Sequence, residues 1–242
     1  IKRPGLTPYQ SVTASAGLGI YSIGSTFFSI FGTTFYVNGV ANATVDGTDE
    51  YDFIASVDQS VLFFKNEVKG YVYNLAAGTL VDLSGTITTQ SGTTSSGSPT
   101  VTLSASNSAI QPGQIVSGTG IAAGTYVLTI AGTTLTLSQN ATASGTVTLT
   151  FTTSYPTTTV SGACFVDGYY VVGTPSGLIY NSNVEDPTTW QAINYVGAVS
   201  DADKLVAINR TINYVVALGE KTTEFFYDAG TSPGSPFLPY QN

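Results

Sequence analysis

The chain has 242 residues, with 7 Lys+Arg against 15 Asp+Glu, a formal net charge of −8 and only 9% charged residues. Its 26 Gly and 37 Thr describe a β-rich chain poor in helix formers. There is no His, and Cys164 is the one cysteine. This excludes histidine acid–base chemistry, Ser-His-Asp and Cys-His nucleophile pairs, His-containing or Cys-rich metal sites, and an intrachain disulfide.

The chain opens at Ile1 and contains no Met, as expected of a fragment of a longer gene product. Lys2 and Arg3 are the only adjacent basic residues, too few for a grip on nucleic acid built by neutralising phosphates. Apolar runs are short and broken by Gly, Thr or Asn, so none can span a bilayer and a soluble protein is expected.

Strands are expected almost throughout, for example at 26–30, 61–64, 71–73, 169–172 and 212–218. These segments are rich in Phe, Tyr, Val and Ile and are bounded by Gly, Asn, Asp or Pro. Between Asp201 and Ile208 one helical turn is the most that the pattern allows. Stacking the segments reveals a repeat of three successive strands, in which Tyr36, Tyr73, Tyr180 and Tyr227 take equivalent places.

The spacing around Tyr73 and Tyr180 is far longer than the others, and removing about 65 residues restores the roughly 42-residue period of a four-stranded propeller blade. Small antiparallel sheets bury little alone, and radial stacking covers their faces. The expected fold is all-β: propeller blades, incomplete at four copies, with an inserted small β-sandwich or barrel. The expected boundaries are 1–84 and 154–242 for the propeller and 85–153 for the insertion.

The insertion coincides with 84 consecutive residues, between Asp82 and Asp167, that contain no charge. Five alternating segments at 98–103, 110–116, 120–127, 134–137 and 145–150 give it strands. Thr on the solvent face supplies polarity without charge. The Ser/Thr/Gly-rich flanks at 88–97 and 152–159 read as flexible hinges.

Asp46, Asp49, Glu50 and Asp52 form the densest charge cluster. A calcium site needs several converging oxygens, but the spacing does not match the Asp-x-Asp-x-Asp-Gly loop, and a solvated loop between blades is the simpler reading. No cofactor or metal is expected. Asp167, Asp201 and Glu224 are possible partners for glycoside chemistry. Nothing gives any pair of them a cleft, and Arg3 and Arg210 are too few for a carboxylate clamp, so the inventory argues against an enzyme. Asn42, Asn140 and Asn209 match glycosylation acceptors, a pattern that arises readily in a Thr-rich chain. Cys164 reads as a small buried apolar residue.

The string 182–190 contains Asp186-Pro187, which starts a turn whose carboxylate can accept backbone N–H groups while Trp190 packs beneath. It resembles the structural Asp-box turns of sialidase-type propellers.

Several strings together resemble the tail proteins of short-tailed bacteriophages, the packaged-DNA stabilisation, tail-hub or nozzle β-propellers. They are Arg3-Pro4-Gly5-Leu6, Gly32-Thr33-Thr34-Phe35-Tyr36-Val37, Gly70-Tyr71-Val72-Tyr73-Asn74, Phe165-Val166-Asp167-Gly168-Tyr169-Tyr170, Asp186-Pro187-Thr188-Thr189-Trp190, and the run from Gly219 to Gly230 closed by Ser235-Pro236-Phe237. The resemblance spans about 1–84 and 154–242.

It implies a virion structural protein: a ring of copies, commonly six, below the portal and tail adaptor. Such a ring would extend the DNA channel, retain the packaged genome and conduct it at ejection. The implied partners are copies of itself, the tail adaptor and other tail proteins, and passing double-stranded DNA that is not bound tightly, with no membrane insertion. An acidic wall repels a duplex and lets it slide, so Asp46, Asp49, Glu50, Asp52, Asp201 and Asp203 are the candidate channel-facing residues. The uncharged insertion is expected to project outward. The competing readings are an adhesin for host glycans, using the many Tyr side chains, and a sialidase-like hydrolase.

Overall fold

The computed structural model describes residues 15–198 and 203–240. Among them it is all-β, with 22 strands and no helix. Four meanders of four strands form four blades. The first is β1 (Gly17–Ile23), β2 (Thr26–Phe31), β3 (Thr34–Val37) and β4 (Val40–Thr44). The second is β5 (Asp52–Ala55), β6 (Val61–Lys65), β7 (Gly70–Asn74) and β8 (Thr79–Asp82). A six-stranded sheet follows, made of β9 (Thr86–Thr94), β10 (Thr100–Leu103), β11 (Ile115–Ser117), β12 (Val127–Ala131), β13 (Thr134–Leu137) and β14 (Gly145–Thr152). The third blade is β15 (Cys164–Val166), β16 (Tyr169–Gly173), β17 (Leu178–Asn183) and β18 (Asp186–Gly197). The fourth is β19 (Leu205–Thr211), β20 (Tyr214–Gly219), β21 (Thr223–Asp228) and β22 (Phe237–Pro239).

Period-two alternation lets each middle strand serve two interfaces. In β6, Leu62 and Phe64 pack with Phe28, Ile30 and Phe35 of the first blade, while Phe63 packs with Tyr170, Val172 and Trp190 of the third; all three β6 side chains are fully buried. Blades three and four share Cys164, Val171, Ile179, Leu205, Ile208, Val215 and Phe226. Each large apolar side chain so buried contributes about 1.5–3 kcal/mol. These radial layers, more than the short strands, hold the propeller together.

The fourth tyrosine of the repeat does not take the place expected for it. Tyr73 and Tyr180 face the preceding blade, in register with Leu62 and Val172. In the fourth blade Phe226 turns to the preceding blade instead, opposite Val215, and Tyr227 lies opposite Tyr214 with 38% of its surface exposed. A one-residue step in a strand moves every side chain to the other face. Between Asp201 and Ile208, where the pattern allows one helical turn at most, the described residues hold none: Leu205 to Ile208 belong to β19, and Asp201 lies outside the described residues.

The six-stranded sheet runs β11-β14-β9-β10-β13-β12, antiparallel throughout. Its two ends meet at an Ile115–Tyr126 bridge, where Val116 N donates to Thr125 O (2.9 Å) and Val127 N donates to Gln114 O (2.9 Å). This seam closes the sheet into a barrel around Val101, Leu103, Leu135, Leu149 and Phe151 and leaves no long free edge.

Neither flank of this sheet is a hinge. Residues 86–94 form β9, a central strand paired with β14 along almost its whole length. The 152–159 flank is tied down at each step. Thr153 Oγ1 donates to Leu83 O (2.5 Å), Ser154 Oγ to Gly113 O (2.9 Å), Thr159 N to Glu67 O (2.8 Å) and Thr159 Oγ1 to Asn66 O (3.0 Å), while Tyr155 is buried. The sheet also rests on the outermost strand of blade three, where Ala192 N donates to Gly113 O (3.1 Å). Gly113, at φ 85°, is required there, because a Cβ would stand 2.6 Å from the Gln191 side chain.

Candidate functional site

Antiparallel meanders place the first and third turns of every blade at one end of the propeller, and the second turns with the blade-to-blade crossings at the other. The candidate acids Asp46, Asp49, Glu50, Asp52 and Asp203 belong to the crossing end, and Asp201 lies outside the described residues.

Asp46 lies in the crossing into β5. Its Oδ1 accepts from Thr48 N (2.9 Å), from Asn66 Nδ2 (2.9 Å) and from the Thr48 hydroxyl, while its own N donates to Tyr71 Oη (2.8 Å) and its carbonyl accepts from Tyr51 Oη (2.5 Å). The Thr48 hydroxyl bond, above all, holds its carboxyl below the usual carboxylate range. Asp203 does the same work before β19. Its Oδ2 accepts from Lys221 N (2.7 Å) and Thr222 N (3.0 Å) and its Oδ1 from Thr222 Oγ1 (2.9 Å), and the Lys221 N–H is the chief cause of its lowered pKa. Each carboxylate therefore ties the crossing that enters a blade to the second turn of that blade.

Asp52 opens β5 directly opposite Lys65. Lys65 is fully buried, and its Nζ lies 3.1 Å from Asp52 Oδ2 and donates to Val160 O (2.5 Å). Asp52 Oδ2 also accepts from Gly162 N (2.9 Å), so the pair staples blade two to the segment leading into blade three. Burial lowers the Lys65 pKa, and the Asp52 carboxylate opposes that shift. Asp49 and Glu50 are exposed and, with Asp52, Glu67 and Ser161, line a cleft of about 380 Å³. Among the described residues no group of three or more acidic or Cys side chains is arranged to hold a metal.

At the opposite end, Asp186 Oδ1 accepts from Thr188 N (2.9 Å) and Thr188 Oγ1 (2.6 Å) at the start of β18. Trp190 Nε1 donates to Pro187 O (2.7 Å), and the buried indole packs edge-on against Tyr155 at 5.0 Å. Asp167 occupies the β15–β16 turn, whereas Glu224 lies near the crossing end of β21 opposite Ala217, so these two carboxylates do not form a pair.

The innermost strands of all four blades meet around a cavity of about 360 Å³, lined by Tyr21, Phe53, Ala55, Phe165, Asn209 and Arg210. Arg210 Nη1 donates to Phe165 O (2.8 Å). None of the described candidate acids lines this cavity. Its residues were legible only as the first strand of each repeat, which in a propeller is the strand nearest the axis.

No curated protein matches the chain. Among solved structures, a chain of the mitotic checkpoint complex is 11% identical (TM-score 0.27, covering 89% of this chain and 73% of that one). The computationally designed Ika8 protein is 16% identical (0.24, 87% and 83%), and BamB from Moraxella catarrhalis is 10% identical (0.25, 84% and 67%). The model of the family described as "Bacteriophage P22 Gp10, beta-propeller" matches residues 4–242, and the four stacked blades agree with it: the chain belongs to that phage structural family.

Proposed function

We propose that the chain is a tail nozzle protein of a short-tailed phage. Copies form a ring, commonly of six, beneath the portal and adaptor, where the ring extends the DNA channel, holds the packaged genome and conducts it at ejection. The family match across 4–242 is the observation that supports this reading. The crossing end supplies a rationale. Asp49 and Glu50 are exposed, Lys65 is buried, and Lys69 is engaged with Asp82 at 2.9 Å, which leaves Lys204 and Lys221 as the exposed lysines among the described residues there. Such a rim offers a duplex little to grip and repels it at short range, within the roughly 8 Å reach of charges at physiological salt.

We assign 1–84 and 154–242 to the propeller and 85–153 to an inserted module that projects from the crossing between blades two and three. The purified chain should form a ring with an axial channel, and deleting 88–152 should spare it. A monomer that holds duplex DNA tightly at physiological salt would overturn the reading.

One observation favours a second reading, a glycan adhesin: Tyr214, Tyr227 and Tyr240 line a cavity of about 510 Å³ on the outer face of blade four. Saturable glycan binding by chains that form no ring would select it.

A further inference from the structure

A cavity at the axis is common to propellers, and what distinguishes this one is the chemistry of its wall. The stacked Tyr21 and Phe53 rings (centroids 5.6 Å apart, 9° between planes) and the Phe165 ring are half-buried and line it. Asn209 and Arg210 complete the wall from β19, and Arg210 is the sole charged group among the described lining residues. A volume of about 360 Å³ lies at the small end for ligand pockets. That suits a single ring with a short tail, and not an oligosaccharide.

The repeat does not demand an arginine here. Arg210 stands one residue before the end of its inner strand, opposite Val215. Its equivalents are Ser22, opposite Phe27 in blade one, and Phe165, opposite Tyr170 in blade three. A hydroxyl and a ring therefore serve the blade at this position as well as a guanidinium does. The bond from Nη1 to Phe165 O (2.8 Å) joins β19 to β15, and a neutral donor could make it. It engages one N–H of a group that carries several. No described carboxylate forms an ion pair with Arg210, so its charge is left for something else. Asn209 Oδ1 accepts from Arg210 N (2.8 Å), which orients the amide and leaves Nδ2 as a donor.

We propose that the axial cavity binds a small aromatic carboxylate, with its ring against Tyr21, Phe53 and Phe165 and its carboxylate on Arg210 and the Asn209 amide. The sign of the ligand follows from a cation in a wall without described acids. The planar guanidinium fork suits a carboxylate, which it can hold by two parallel bonds. The aromatic wall favours a ring, through edge or offset contacts, and lowers the local dielectric around the charge pair. Such a ligand would touch the inner strands of all four blades at once and would therefore stabilise the folded chain. The site lies within one chain and rests on neither the ring nor the DNA channel proposed above.

Isothermal titration of the purified full chain with 3-phenylpropionate should show one saturable site per chain. At about tenfold over its Kd the ligand should raise the Tm by about 3–6 °C. Propionate, which lacks the ring, and 3-phenylpropionamide, which lacks the charge, should each bind at least about tenfold more weakly. Arg210→Gln keeps a donor for the Phe165 carbonyl. Asn209→Asp keeps the acceptor for Arg210 N and sets a carboxylate beside the guanidinium. Both should show native circular dichroism and lose about tenfold or more in affinity for phenylpropionate. Should either variant unfold, the ligand series on the wild-type chain decides alone. No saturation up to about 10 mM, or equal binding of the acid and its amide, overturns the proposal. Undiminished binding by either folded variant overturns it by placing the ligand elsewhere. Inorganic phosphate that binds as tightly as phenylpropionate overturns it in favour of a bare anion site.

Discussion

Asp52→Ala should destabilise the protein more than Lys65→Met, although the two substitutions break the same ion pair. Only 1% of the Lys65 side chain is accessible, against 38% of Asp52. Removing Asp52 leaves a buried ammonium with the Val160 carbonyl as its remaining acceptor, and stranding a buried charge costs about 3–5 kcal/mol. Asp52 is partly exposed, so water replaces some of its effect, and the lower figure of about 3 kcal/mol applies. For a chain of this length that is a fall in Tm of about 6–12 °C.

Lys65→Met removes the charge, keeps most of the stem volume and leaves the half-exposed Asp52 to water and Gly162 N. Its cost is the unpaired Val160 carbonyl, about 1 kcal/mol. The double variant should therefore melt close to Lys65→Met and well above Asp52→Ala. The pH dependence has a definite sign. Burial places the folded pKa of Lys65 below its unfolded value of 10.5, so the unfolded state binds more protons between the two and stability from this group rises with pH. The deficit of Asp52→Ala should shrink in mildly alkaline buffer. Thermal melts of the three variants decide the matter. A Lys65→Met cost equal to that of Asp52→Ala, or additive losses in the double variant, would refute the argument.

Several buried phenols set the alkaline limit of the fold. Tyr51, Tyr71 and Tyr155 have raised pKa values, and Tyr170 is pushed up to about 12, in each case chiefly by burial. Their stabilising effect is complete below about pH 10 and is lost as pH climbs through the folded values. Urea midpoints should fall above that point, and full phenolate absorbance in a chain with native circular dichroism would contradict this. Cys164 is 3% exposed, and burial pushes its thiol up to about 12. It should resist thiol reagents at neutral pH until the chain unfolds, and fast native labelling would show its environment to be otherwise. At Gly162 (φ 82°) a methyl group would overlap the Ile208 carbonyl oxygen, so Gly162→Ala should cost more than about 3 kcal/mol. Gly97→Ala, at φ 79° with nothing within 4 Å, should cost only the backbone term of about 1–2 kcal/mol, and similar losses at both sites would count against a steric cause.

The blades were legible because their strands alternate aromatic and polar residues over short spans bounded by turn formers. Composition misled at β9. The string Thr86 to Thr94 has the content of a flexible linker, yet its core-facing positions are small because the neighbours fill the space: a Cβ on Gly92 would stand 2.9 Å from Val101 and 3.0 Å from Leu149. Packing of that kind leaves no mark in the strand's own residues. The segments at 110–113 and 120–124 have the sequence pattern of strands but are turns and loops, because an isolated Ile near Gly satisfies a loop as well as a ladder. At the crossing end, acidic content was visible but its use was not. Asp46 and Asp203 spend their lone pairs on turns that are distant in sequence, whereas Asp49 and Glu50 remain exposed. Asp-turn chemistry was readable at Asp186 because its acceptor geometry lies within two residues.

The neck of the six-stranded sheet bears on the order of folding. Thr86 pairs with Thr152, and Thr153 reaches back to Leu83. Once this sheet has formed, the crossing of about 80 residues between blades two and three behaves as a tether of about 14. By the logarithmic dependence of loop closure on length, this lowers the entropic cost of bringing those blades together by about 1.5 kcal/mol. An early-folding excursion with adjacent ends thus shortens the search that the surrounding propeller must make.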